Sequence, residues 1–552
     1  MNGPVVYTSI MLNRLFAPLT LFLLAVALRA APASETPALR VFKQWLDAFN
    51  SGDRARVSAF WEQYGTNGAG DRVDGDLRLR NMTGGMLIFR IVEDSETHVV
   101  ALMKENRGAW SESSMELAST EPPVIKGMMG HPVPPPESSA NPAGRDEEID
   151  ARVAEHVANM SGPDAFSGAV LVAHKGRIVL ERAWGMADNK RQMPNRTDTQ
   201  FCIGSLNKMF TAVAVLQLVQ QGRISLDEPV ATWWPDYPNH DVAARVTIRE
   251  LLNHSGGTGD IFTPEYEAHR LEVRTLADYV RLFGNRPVAF EPWTRMEYSN
   301  YGYILLGRII ELVSGETYEG YVHKHIYVPA GMLHTDSRPQ LDYVDGRAVG
   351  YTHGADGLVP NSEALPWSGT SAGGGYSTVH DLFLFAQALQ AGTLLSPRLL
   401  KEATNASKLR ADYGLGFYVL PDGGYGHGGG APGMNGEMHI LPHSGYVLVA
   451  LANRDPRMAT NMVDFITAAL PKSVTSSRLS GASEIARITP PRAFAGLISE
   501  GPMPVCILFI IAGLYSVGMA LASSTWYVCG ALLVSQSRGW SGYRFLLCEK
   551  LR

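Results

Sequence analysis

Three short stretches of this chain carry residue types that can do chemistry. The first is Phe201-Cys202-Ile203-Gly204-Ser205-Leu206-Asn207-Lys208, which runs on through Met209, Phe210, Thr211, Ala212, Val213, Ala214, Val215 and Leu216 to a stop at Gly222. A run that is apolar nearly all round describes a helix buried in a domain core, and a glycine is the usual C-terminal signal. Ser205 and Lys208 stand three apart, so on a helix they share a face. The serine falls in the first turn, where free backbone N–H groups and the helix dipole favour a developing negative charge. A lysine beside it in an apolar setting loses its proton more easily and can draw the proton from the hydroxyl. On its own Ser-x-x-Lys reads equally as an N-cap serine and a solvated lysine. An ionisable residue one turn inside an otherwise apolar cylinder is what favours the chemical reading.

The second stretch is Glu297-Tyr298-Ser299-Asn300-Tyr301-Gly302-Tyr303, followed by a helical run from Ile304 to Val313. It sets a phenol and an amide on a turn just before a helix. A phenol close to a cationic lysine can favour phenolate and act as a base. The third is Tyr425-Gly426-His427-Gly428-Gly429-Gly430. The formal Gly-x-Gly-x-x-Gly from Gly424 to Gly429 lacks the long strand before it and the helix after it that a dinucleotide site needs. Consecutive glycines instead let a substrate lie against bare backbone, whose N–H groups can hold an oxyanion.

These stretches sit in a 552-residue chain of net charge −6, long enough for two or more domains. The absence of a basic block argues against nucleic acid as a partner. Of Cys202, Cys506, Cys529 and Cys548 only Cys202 is central, so no disulfide framework or cysteine-based zinc site is expected; Cys202 reads as a small buried residue. No metal and no cofactor is called for. Arg14, the apolar run Leu15 to Leu28 and Ala31-Pro32-Ala33 read as an export signal over residues 1–33. From Met503 to Ser535 there is no charged residue, enough to cross a bilayer, and Arg538, Arg544, Lys550 and Arg552 follow. By the positive-inside rule this predicts a transmembrane segment over 503–535 and a basic cytoplasmic tail over 536–552. The body of the chain would then be exported, periplasmic or extracellular, and held at the membrane.

Between these ends, residues 36–122 show two helical patterns (Ala38 to Asn50, Arg54 to Tyr64) and three strand patterns (Met86 to Val92, Thr97 to Met103, Trp110 to Leu117). This small α+β unit weakly resembles an NTF2-like domain, with a binding or spacer role. Residues 123–146, with Pro132-Val133-Pro134-Pro135-Pro136, read as a linker, and residues 473–502 as a second one. In 147–472, strand patterns at Ser167 to Trp184 and Tyr413 to Asn453 flank a helical block around 225–370. That order predicts an α/β (α+β) domain: one antiparallel sheet flanked by helices and assembled from distant segments, with an inserted helical subdomain.

Taken together, in this order and spacing, the three stretches resemble the serine β-lactamase and penicillin-binding-protein superfamily. The likeness is to its class C-like branch, with D-alanyl-D-alanine carboxypeptidases, D-aminopeptidases and family VIII carboxylesterases. Leu251-Leu252-Asn253-His254-Ser255-Gly256-Gly257, Ala372-Gly373-Gly374-Gly375-Tyr376-Ser377-Thr378 and Asn453-Arg454-Asp455 add to it. The resemblance implies a β-lactamase/transpeptidase-like fold and an acyl-enzyme on Ser205. It implies that Lys208 and Tyr298 share the proton traffic, that Asn300 orients Lys208 and the substrate amide, and that Ser205 and Gly430 N–H groups form the oxyanion hole. His427, Gly428, Gly429 and Gly430 would face the substrate: an ester, an amide or a D-amino-acid peptide, including cell-wall peptide. A β-lactamase proper and a penicillin- or peptidoglycan-binding sensor without turnover are the alternatives. The family's third motif often begins with lysine, a fixed cation; here His427, neutral for much of the time near pH 7, predicts poor handling of carboxylate-bearing β-lactams. Acidification toward pH ~6.5 should then favour carboxylate-bearing substrates. Pro292-Trp293 stands where relatives often have Pro-Gly.

Overall fold

The computed structural model describes residues 35–471, apart from 66–69, 134–144, 271, 341–343, 355–356 and 363–364, together with 526–528 and 549–551. The N-terminal unit begins with α1 (Pro37–Ser51), capped by Thr36, whose hydroxyl accepts from the Leu39 N–H, and ended at Gly52 with φ of 65°. Val41, Phe42, Trp45, Leu46 and Phe49 line its buried side. α2 (Arg54–Tyr64) follows as expected. A third helix, α3 (Gly70–Thr83), was not anticipated: it is mostly polar, and Val73 and Leu77 give it only a thin apolar stripe against the core. The sheet has four antiparallel strands in sequential order: β1 (Met86–Asp94), β2 (His98–Glu105), β3 (Trp110–Thr120) and β4 (Pro123–Pro132). β4 takes the first ten residues of the expected 123–146 linker, of which 134–144 lie outside the described residues. Its prolines and glycines suggested a loop, but an edge strand tolerates residues that cannot complete a ladder.

The larger domain is built on a six-stranded antiparallel sheet. Its strands are β5 (Gly168–His174), β6 (Arg177–Trp184), β7 (Tyr418–Val419), β8 (Tyr425–Ala431), β9 (Met434–Leu441) and β10 (Tyr446–Ala452). They lie in the order β7-β8-β9-β10-β5-β6, so segments more than 200 residues apart pair at β10 and β5, from Tyr446 opposite His174 to Ala452 opposite Gly168. Alternation sorts the side chains of these two strands onto two faces. Val170, Val172, Leu448 and Ala450 pack with Ile149 and Val153 of α4 (Glu147–Ala158) and Met462, Val463 and Ile466 of α8 (Met458–Ala469). Ala169, Leu171, Val449 and Leu451 turn the other way, into the core that holds α5 (Asn207–Gln220), α6 (Asn300–Ser314) and α7 (Val379–Gln390). Sheet covered on both faces explains why β5 and β10 read as continuous apolar runs.

α5 is the axis of that core. Every residue from Asn207 to Leu216 is buried, and each large apolar side chain so placed contributes about 1.5–3 kcal/mol. It ends as expected: Gly222 takes φ of 69°, and the Gly222 and Arg223 N–H groups close back on Val219 and Leu218.

The expected export signal and second linker lie outside the described residues. Of the segment expected to span a membrane, Trp526–Val528 are described, and they form a strand paired antiparallel with Glu549–Leu551. Trp, Tyr and Val favour extended backbone. Among the described residues no helix is long and apolar enough to cross a membrane.

Candidate active site

Ser205 lies in a tight turn, Gly204–Leu206, that feeds α5. Gly204 takes φ of 51° there, a left-handed conformation that suits glycine. The turn is gripped from two sides. On one, the Gly374 N–H donates to the Gly204 carbonyl (3.2 Å) and the Ile203 N–H to the Gly375 carbonyl (2.8 Å). On the other lies β8: a Cβ on Gly429 would stand 2.1 Å from the Ile203 carbonyl oxygen and 3.0 Å from the Ser205 nitrogen. A Cβ on Gly204 would in turn stand 3.3 Å from the Gly430 nitrogen. Gly429 is thus required by the close approach of two backbones, which sets the Gly430 amide beside the turn that carries Ser205.

Lys208 is fully buried, and its ammonium nitrogen has three neighbours: Ser205 Oγ at 3.2 Å, Asn300 Oδ1 at 2.7 Å and the Ala372 carbonyl at 2.5 Å. Burial brings its pKa down to about 7, against the opposing pull of the Asp260 carboxylate. A neutral amine in this position can donate to the two carbonyl-type acceptors and turn its lone pair to the serine hydroxyl. Asn300 is itself oriented from behind, since its Nδ2 donates to both Asp260 oxygens at 3.1 and 3.0 Å.

Tyr298 Oη donates to Ser205 Oγ at 2.8 Å, and the Lys208 nitrogen sits 4.7 Å from its ring centre. The phenolate expected from that proximity is not favoured. Burial holds the Tyr298 phenol well above its usual pKa, and the nearby Tyr418 adds to this. Burial thus pushes the lysine toward its neutral form and holds the phenol in its protonated one. This division was open in the sequence, because burial of two neighbouring groups acts in opposite senses on an acid and on an ammonium.

His427 also departs from expectation. Its ring is wholly buried, stacked on Tyr418 at 4.3 Å, and both nitrogens are in use: Nδ1 lies 2.6 Å from the Gly428 carbonyl and Nε2 3.0 Å from Tyr413 Oη. Tyr413 Oη also lies 3.1 Å from His254 Nε2, and His254 Nδ1 accepts from the Ser299 N–H at 3.2 Å. The backbone groups at either end fix every proton in the chain. Ser299 N–H donates to His254, His254 Nε2–H to Tyr413, Tyr413 O–H to His427, and His427 Nδ1–H to Gly428. The chain ties the Tyr298 turn to the glycine strand with neutral groups throughout. Burial lowers the His427 pKa to about 3, with the Lys208 charge acting in the same direction. Acidification to pH ~6.5 therefore leaves it neutral, and the ring supports the strand rather than receiving a charged substrate group.

Tyr413→Phe is expected to leave two buried imidazole nitrogens unpaired and to cost about 2 kcal/mol, read as a lower urea midpoint at unchanged slope. An unchanged midpoint would mean that the chain carries no stability.

Tyr413 and Asp260 carried no sequence signal of a role. His254 stood inside a stretch noted only as a supporting match. It holds φ of 62°, and its carbonyl accepts from the Glu297 N–H. Trp293 takes φ of 63°, a left-handed conformation that suits glycine, and stands 40 % exposed. Cys202 is buried as expected, its thiol pushed up to about 11 by burial.

The β-lactamase family model matches residues 149–470, the whole of the larger domain. Penicillin-binding protein 4* of Bacillus subtilis (strain 168) is 31% identical over 315 residues, covering 52% of this chain and 68% of that protein. Among solved structures, a penicillin binding protein from Bacillus halodurans is 30% identical with a TM-score of 0.51, covering 58% of this chain and 98% of the other. The D-amino acid amidase from Ochrobactrum anthropi SV3 is 29% identical with a TM-score of 0.51, covering 60% and 100%. The chain belongs to the β-lactamase family, as a serine hydrolase of the β-lactamase/transpeptidase-like superfamily.

Proposed function

We propose that the protein cleaves esters and D-amino-acid amides or peptides through an acyl-enzyme on Ser205. The observation that carries this reading is the Lys208–Ser205–Tyr298 cluster, a buried amine with a pKa of about 7 and a protonated phenol both within 3.2 Å of one hydroxyl. Lys208 takes the Ser205 proton as Oγ attacks the acyl carbon. The Ser205 and Gly430 amides receive the oxyanion, and Tyr298 gives its proton to the leaving oxygen or nitrogen. Water then enters where the leaving group stood, and the same groups run in reverse to release the acid and restore Ser205.

The substrate class rests on His427. A neutral, doubly engaged imidazole offers no charge-assisted bond to a carboxylate, and such bonds are about twice as strong as neutral ones. The preference for substrates without a carboxylate should therefore hold across pH 5.5 to 8. The amidase among the similar structures supports D-amino-acid amides as one such substrate. The test compares kcat/KM for p-nitrophenyl butyrate, D-phenylalanine amide and nitrocefin. The first two should exceed nitrocefin by at least about tenfold, a gap of ~1.4 kcal/mol, with the ratio of ester to nitrocefin independent of pH. Nitrocefin as the better substrate, or an ester-to-nitrocefin ratio that falls as the pH is lowered, would overturn the assignment. Export is proposed on the N-terminal pattern alone; a mature chain starting near Ser34 by mass spectrometry supports it, and an uncleaved cytoplasmic chain contradicts it.

A further inference from the structure

The N-terminal domain contains a cavity of about 460 Å³ that the catalytic account does not use. Its volume falls in the range of small-molecule sites, about 300–1,000 Å³. Trp45 and Trp61 form one wall, with both indole N–H groups donating to Asp76 Oδ2 at 3.0 and 2.9 Å, and Met86 and Met128 add to the apolar lining. The lining also carries Glu105 and Arg72, whose guanidinium lies 4.6 Å over the Trp61 ring, and two of its residues have buried polar atoms without a partner. Ser111 is 7 % exposed, and its buried hydroxyl has no hydrogen-bond partner. The other is Arg457, which belongs to the hydrolase domain and lines the cavity.

Arg457 is placed with effort. Its backbone holds φ of 101°, a left-handed conformation rare for a residue with a side chain. Its Nη1 donates to Glu105 at 2.9 Å, whereas Nε and Nη2 are buried without a partner. Those two nitrogens form the side edge of the guanidinium, the fork that matches a carboxylate with two parallel bonds. Elsewhere in this protein the same edge is filled in that way: Arg196 grips Asp198 at 2.9 and 2.8 Å, and Arg249 grips Asp227 at 2.5 and 3.1 Å. Buried donors are rarely left empty, since an unmet one costs about 1–3 kcal/mol.

We infer that this cavity is a binding site for a small monocarboxylate with an apolar body, its carboxylate received by the open edge of Arg457 and its body held between the tryptophan wall and the methionines. The site joins the two domains. Pro456, the residue before Arg457, lines the same cavity and lies beside Gly430, where an added Cβ would stand 3.0 Å from its ring. A ligand held by Arg457 thus sits one residue from a contact with the glycine strand.

The test is calorimetry on the full chain with sodium octanoate and 4-phenylbutyrate as probes and octanamide as the uncharged control. At least one acid should bind with a stoichiometry of one, and octanamide at least tenfold more weakly than octanoate. Gly75 lines the cavity on α3, and a Cβ there meets nothing within 4 Å. Gly75→Phe should therefore fill the space, abolish binding and leave the melting temperature unchanged or raised. Arg457→Lys keeps a charge for Glu105 but not the fork, and should weaken the acid at least tenfold while leaving octanamide unchanged. Ester hydrolysis by Gly75→Phe without added acid should match wild type. No binding of either acid, equal binding of acid and amide, or binding that survives Gly75→Phe would overturn the assignment.

Discussion

Ser205→Ala is expected to lower kcat/KM for p-nitrophenyl butyrate by at least about 10⁴-fold and to end covalent labelling by a fluorophosphonate. Residues acting as one unit fail together, so removal of the nucleophile alone takes most of the rate. The fold should survive. Ser205 sits in a short turn held by backbone bonds to Gly374 and Gly375 rather than by its own side chain. A melting temperature within about 4 °C of wild type, together with loss of labelling, would separate lost chemistry from lost structure. An adduct on another serine, or substantial residual turnover, would remove Ser205 from the centre of the account.

Lys208→Met is expected to cost about 10²–10⁴-fold, the usual contribution of a positioned base. The sign with pH follows from the direction of its shift. Lys208 is a base whose pKa is lowered to about 7, so it is neutral and active above that value and protonated below it. Wild-type kcat/KM should be level above pH ~7.5 and fall about tenfold per unit below pH ~6.5. In Lys208→Met the small residual rate should lose that acid limb. Lys208→Arg should be no better than methionine, because a guanidinium stays charged throughout.

Much of the hydrolase domain was legible in the sequence because its signals were local. The apolar cylinder of α5 could only be a core helix, and the runs at Gly168 to His174 and Tyr446 to Ala452 could only be covered strands. The glycines at 428–430 read as bare backbone for a substrate, whereas the approach of Gly429 to the Ser205 turn came only with the structure. Less was legible where the outcome depended on distant partners. The protonation of Tyr298 and the bracing of Asn300 by Asp260 follow from neighbours 40 to 120 residues away, which no spacing rule reveals, and the burial of His427 follows from how Tyr413 and Tyr418 fold over it. α3 escaped because its sequence has little apolar period, and β4 because prolines at an edge resemble a loop. The uncharged tail met the length criterion for a membrane span, yet Trp526–Val528 within it are extended and paired.

The central claim is that the neutral Lys208 amine, rather than a Tyr298 phenolate, takes the Ser205 proton. The most direct measurement is the pre-steady-state acylation rate of p-nitrophenyl butyrate from pH 5 to 9 in wild type and in Tyr298→Phe. The account predicts one ionisation near pH 7 in both, with Tyr298→Phe slower by a similar factor at every pH. An acid limb that disappears with Tyr298→Phe would make the phenol the base and contradict the account.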